Sequence, residues 1–152
     1  MGLSLAPLIY RLAANQAVTN SVALVTITGF SVPVAINQRI AWKIYGGFSL
    51  GATGGFRFAV TPPAGIGAFN LNYQISEPTT PATFQDVIVA NANVTNAAAV
   101  ADDYRLLMFG SVEIGATAGN VLFQFAQNNA TANPITLYEG LILEVMRFSV
   151  DT

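Results

Sequence analysis

From residue 22 onward the chain alternates apolar and polar side chains with a period of two, and this pattern leaves few folds open to it. Ile40, Trp42, Ile44, Phe48 and Leu50 share one phase, and Ala41, Lys43, Tyr45 and Ser49 the other. One long strand is expected there, bent at Gly46-Gly47. Phe56, Phe58 and Val60 alternate with Arg57 and Ala59 until Pro62-Pro63, where proline cannot donate to a ladder. Phe69, Leu71, Tyr73 and Ile75 alternate with Asn70, Asn72 and Gln74. Tyr104, Leu106, Met108, Val112 and Ile114 share a phase against Arg105, Ser111 and Glu113, and Val121, Phe123 and Phe125 flank Gln124. With segments at 22–30, 84–89, 135–138 and 141–150, about eight or nine strands are expected, separated by turn signals in the manner of an antiparallel sandwich or barrel. No sustained helical period runs through this region, which disfavours a βαβ fold. The segment 77–83 and Asn128 to Pro134 read as exposed loops, and the Ala/Asn-rich stretch 91–101 as either a loop or a helical turn.

The last strand is unusual. Leu141, Leu143 and Val145 occupy one face while Ile142, Met146 and Phe148 occupy the other, with Glu144 and Arg147 the only charges. A strand apolar on both faces is expected to be covered on both. One cover is the opposing sheet, and the other is the chain's own N-terminal segment or a second subunit.

Charge decides between broad classes. Six Lys or Arg and eight Asp or Glu make up only 9% of 152 residues, where an average domain of this length carries about 38 charges. The pI of 4.8 and the lack of any basic cluster argue against a nucleic-acid partner. Despite a mean hydropathy of +0.51, the longest charge-free run, Leu12 to Gln38, contains Asn15, Gln16, Asn20, Pro33 and Asn37, so no membrane-spanning helix is expected. The chain contains neither His nor Cys, which removes disulfides, the usual zinc and iron–sulfur sites, cysteine nucleophiles and Ser-His-Asp triads. No basic region precedes Arg11, so a secretory signal is not expected.

The remaining motifs carry little chemistry. The glycine clusters lack the Lys-Ser/Thr ending of a phosphate loop and read as turns and bulges. Glu113, Glu139 and Glu144 are isolated acids with no local signature of a glycosidase pair, and Asp102-Asp103 lacks the alternating oxygen ligands of a calcium loop and reads as a solvated turn. Asn93-Val-Thr95 and Asn129-Ala-Thr131 match the glycosylation triplet, which chance produces readily in so Asn- and Thr-rich a chain. Trp42 lies in the core phase, whereas Tyr45 lies opposite and is a candidate for surface contact. No cofactor or metal is expected, and no enzymatic activity.

Two stretches resemble a known family. Gly29 to Gly65, GFSVPVAINQRIAWKIYGGFSLGATGGFRFAVTPPAG, is similar to a segment of small structural proteins of tailed bacteriophages, in which a strand and a P-V-A-A-N turn lead into a long aromatic-rich strand and then a G-P-A-G turn. Tyr104 to Asn129, YRLLMFGSVEIGATAGNVLFQFAQNN, with Leu137 to Phe148, LYEGLILEVMRF, resembles the same family's G-A-T-A-G and closing G-S-x-L patterns. Together they span about half the chain. Gly140-Leu141 stands in place of the usual Gly-Ser, and the first turn reads Val34-Ala-Ile-Asn37; both departures are conservative for the fold.

The resemblance implies a jelly-roll-like β-sandwich, similar in layout to tumour-necrosis-factor and C1q heads, used as a virion component. The expectation is therefore an all-β, two-sheet antiparallel sandwich over 22–150 with an apolar N-terminal arm over 1–21, docking or lying at a sheet edge. It is expected to form a homo-oligomer, a trimer by the resemblance, and to bind the major capsid protein or another virion protein on the outside of a phage head after synthesis in the host cytoplasm. Candidate contact residues are Leu3, Leu5, Leu8, Ile9 and Leu12 of the arm, Tyr45, and Ile142, Met146 and Phe148 of the last strand. The alternative is a tail-fibre tip recognising a host glycan, although the chain contains no heptads or internal repeats from which a shaft could be built.

Overall fold

The computed structural model describes residues 6–51, 53–76, 83–87, 93–96 and 102–149. Among these there is no helix. The strands are β1 (Leu8–Arg11), β2 (Gln16–Val18), β3 (Val25–Val34), β4 (Gln38–Leu50), β5 (Phe56–Thr61), β6 (Phe69–Ser76), β7 (Thr83–Val87), β8 (Asn93–Asn96), β9 (Asp102–Glu113), β10 (Gly119–Ala126), β11 (Ile135–Leu137) and β12 (Ile142–Ser149). They form two antiparallel sheets. The larger runs β1-β12-β4-β9-β6-β7, with β11 pairing to β4 and β2 to β11; the smaller runs β3-β10-β5-β8.

Where about eight or nine strands were expected, each expected segment contains a strand, and the short β1, β2 and β8 bring the described strands to twelve. Too short to show periodicity, β8 nonetheless pairs with Phe56–Ala59 of β5, which makes part of the undecided 91–101 stretch a strand. Of the expected loop at 77–83, residues 77–82 lie outside the described residues and Thr83 is instead the first residue of β7, paired with Ile75; the rest of 91–101 also lies outside them. At Gly46-Gly47, where a bend was expected, β4 changes partner on one edge, from β12 up to Tyr45 to β11 from Phe48, while the ladder to β9 on the other edge passes unbroken through Gly46↔Leu106 and Gly47↔Arg105. Gly46 also serves a packing purpose: a Cβ there would stand 2.6 Å from Leu141 Cδ1. Nor is Asp102-Asp103 a turn. Both residues extend β9, paired with Leu50 and Ser49, because the long β4 offers them a ladder.

The core lies between the sheets. Ile40, Trp42, Ile44, Phe48 and Leu50 of β4 are all buried, and they meet Phe56, Phe58 and Val60 of β5 and Val121, Phe123 and Phe125 of β10. Phe48 is a hub: it stands edge-on to Phe56 and Phe58, with centroids at 5.7 and 5.6 Å, and stacks on Tyr104 at 5.3 Å. Trp42 meets Phe123 edge-on at 5.2 Å, as its core phase predicts, and its buried Nε1 has no hydrogen-bond acceptor.

Side chains close what the ladders leave open. β3 is an edge strand whose pairing with β10 jumps from Ser31↔Leu122 to Thr26↔Gln124 around Gly29, where φ is +83°. Across this bulge the Gln16 amide acts as a surrogate strand, donating from Nε2 to the Thr26 carbonyl at 3.0 Å and accepting from the Thr28 N–H at 2.7 Å. The guanidinium of Arg147 donates to the Pro33 carbonyl at 2.9 Å near the other end. The polar loop after β10 is organised by the fully buried Gln127, whose oxygen accepts from Ser21 N–H at 3.0 Å and whose nitrogen donates to the Asn133 carbonyl at 2.6 Å.

Candidate functional site

The outer face of the larger sheet carries the surface most unlike ordinary solvated protein. Antiparallel register aligns its outward side chains in rows across the strands. One row reads Ile9, Glu144, Lys43, Phe109, Asn72 across β1, β12, β4, β9 and β6. A neighbouring row reads Met146, Ala41, Ser111, Asn70, the next Phe148, Arg39, Glu113, and on the other side lies Ile142, Tyr45, Leu107, Gln74. Ile9 is 57% exposed, Met146 48%, Phe148 47% and Phe109 43%. Large apolar side chains thus stand in solvent on both flanks of a polar seam.

The seam is ordered. Tyr45 Oη donates to Glu144 Oε1 at 2.7 Å, and Lys43 Nζ lies 4.9 Å from the centre of the Tyr45 ring. The hydrogen bond to Glu144 is the main cause of an upward shift in the Tyr45 pKa, with loss of hydration and the carboxylate's charge adding to it. Asn70 donates from Nδ2 to Ser111 Oγ at 2.9 Å and accepts from the Ser111 N–H at 2.8 Å. Farther along the face Tyr138 donates to Asp103, which raises its pKa in turn, against a smaller lowering by Ser49.

Between the ridges of Met146 and Phe109 lies a groove of about 720 Å³, with Ala41 and Gly110 among its lining and Pro7 beside it. Lys43 also borders a second depression of about 410 Å³ lined by Gln74, Arg105 and Leu107.

The candidate contact residues divide on this map. Ile9, Met146 and Phe148 are exposed and Ile142 and Tyr45 half-buried on the same face, so the fold brings these together. Leu8 is 38% exposed on the opposite phase, paired with Val145. Leu12 is a correction. Only 1% exposed, it belongs to the core, tied by its N–H to the Leu141 carbonyl at 2.9 Å, and cannot meet a partner. Leu3 and Leu5 lie outside the described residues. Residues 8–18, read as part of an arm, supply β1 and β2 of the larger sheet. Phe109 and Leu107 were missed by sequence reasoning, though β9 showed the same signal as β12, an apolar run, Leu106 to Phe109, that fills both phases.

The three isolated acids do not converge on one element: Glu113 ends β9, Glu139 sits in the turn before β12 with Arg11 Nη2 at 4.0 Å, and Glu144 is held by Tyr45. Among the described residues no three acidic side chains gather to hold a metal ion. Compared with protein-family models, curated proteins and solved structures, the chain matches none of them.

Proposed function

We propose that this chain is a non-enzymatic virion structural protein, a decoration or cement subunit that self-associates and binds the outer surface of a phage head. The observation that carries the reading is the outer face of the larger sheet, where Ile9, Phe109, Met146 and Phe148 stand exposed in a chain with only 9% charged residues. Such a face gains by being covered, at about 25 cal/mol per Å² of apolar surface removed from water, and few charges must be desolvated to cover it. The likeness of Gly29 to Gly65, Tyr104 to Asn129 and Leu137 to Phe148 to tailed-phage structural proteins supplies the setting. Its work is mechanical: each subunit ties its neighbours together by burial, and no residue turns over a substrate.

Immunogold labelling of intact particles with an antibody to this chain tests the proposal. Regular labelling of heads is the expected result. Labelling confined to the tail tip would replace the reading with the receptor-binding alternative, and unlabelled particles would end it.

A further inference from the structure

The outer face of the larger sheet is shaped to receive a second copy of itself. We infer that two chains pair face to face through β12, β4 and β9, with Phe109 and Met146 of each copy seated in the groove of the other. The inference deepens the assembly reading above and rests on it for its setting.

Shape is the first support. A closed two-fold contact needs a patch complementary to itself, with projection and hollow on one surface. Here the Met146 and Phe109 ridges stand beside the groove over Ala41, all within adjacent rows of the same face. Because knob and hole share one face, a pair follows, in place of the three-fold arrangement implied by the family resemblance.

Charge is the second. On β4, β9 and β12 the outward charges are Arg39, Lys43 and Arg105 against Asp103, Glu113 and Glu144, so cations and anions balance and interleave. A strongly basic or acidic partner would find no complement on this face, whereas a rotated copy can set Lys43 near Glu144 in both directions.

Area is the third. With their flanking strands β1 and β6, the strands β12, β4 and β9 hold 45 residues, which at ~4.8 Å between strands and ~3.4 Å per residue present roughly 730 Å². That approaches the ~800 Å² per partner of a stable interface.

The test starts from the full chain in solution. Sedimentation equilibrium at about 20 µM should give the mass of a dimer. Phe109→Asp and Met146→Asp, both at exposed positions, should weaken association by at least ~30-fold while leaving the thermal midpoint near that of the parent. A second readout does not depend on those variants. The chain contains no cysteine, so Ala41→Cys provides a single thiol at the centre of the face, and Thr61→Cys one on the outer surface of the smaller sheet. Facing sheets pack about 10 Å apart, so a short bismaleimide should join Ala41→Cys chains into covalent dimers and leave Thr61→Cys chains monomeric. A monomeric or trimeric parent overturns the inference, as does equal cross-linking of the two variants. So does an Ala41→Cys thiol that becomes reactive only when residues 1–5 are removed, which would assign the groove to the chain's own N-terminus. A monomer that still labels heads would refute the pairing alone, and a dimer on unlabelled particles the virion reading alone.

Discussion

The Trp42 indole lies against Gly110, its register partner on β9, so closely that a Cβ at Gly110 would stand 2.7 Å from Cζ2. The same Cβ would also strike the Asn70 carbonyl oxygen of β6. Gly110 is thus the floor on which the largest core side chain of β4 rests, and neither neighbour is a flexible chain end. Gly110→Ala is expected to lower stability by about 1–3 kcal/mol through overpacking, read as a fall in the urea midpoint with the slope unchanged. An unaltered midpoint would show that the indole can shift.

Gln16 closes the edge of the smaller sheet from the larger one. Its amide satisfies the Thr26 carbonyl and the Thr28 N–H together, so Gln16→Ala leaves two backbone groups of an edge strand unpaired. A loss of about 1–2 kcal/mol is expected, together with faster aggregation by light scattering, because a bared edge is a template for pairing. Gln16→Glu keeps the acceptor and loses the donor, and should fall between Gln16→Ala and the parent chain.

Alkaline pH should destabilise the fold. Tyr45 and Tyr138 are raised chiefly by their hydrogen bonds to Glu144 and Asp103, and Tyr73 by burial. Each favours the neutral phenol in the folded chain, above the ordinary value of about 10. Their contribution is whole below that pH and is lost as pH rises through the raised folded values. Absorbance titration at 295 nm should place the native midpoint above that of the chain in guanidinium, and unfolding should grow easier above pH 10. Coincident titrations would contradict these assignments.

Much of the sandwich was legible because period-two alternation is written by burial itself. The phases of β4, β5, β6, β9 and β10 follow from Ile40 to Phe125 as read, and the buried residues fall on them except Ala59 and Ala126, which are buried on the opposite phase. What escaped was set by neighbours distant in sequence. Four residues of β1 cannot show a period, and only pairing with Arg11↔Ile142 through Leu8↔Val145 makes them a strand. Asp102 and Asp103 look like turn residues until β4 provides a ladder for them. The candidate face was half legible: the two-faced apolar pattern of β12 pointed to Met146 and Phe148, while the equal signal of Leu106 to Phe109 in β9 went unread, and it is register that sets Phe109 on the same face two strands away, beyond Lys43.

The adjacency of β1 and β12 bears on how the molecule comes to exist. Leu8 and Val145 are neighbours in space although nearly the whole chain separates them. During synthesis β1 must wait for β12 before it has a partner, and β4 waits with it, since β12 is one of its two long neighbours. Closing so large a loop is slow, and sandwiches dominated by distant pairings fold in milliseconds to seconds. Throughout that interval the edge of β4 that β12 will occupy stands unpaired, open to wrong pairing, and in the finished sheet β4 is a central strand that cannot leave without breaking ladders on both sides.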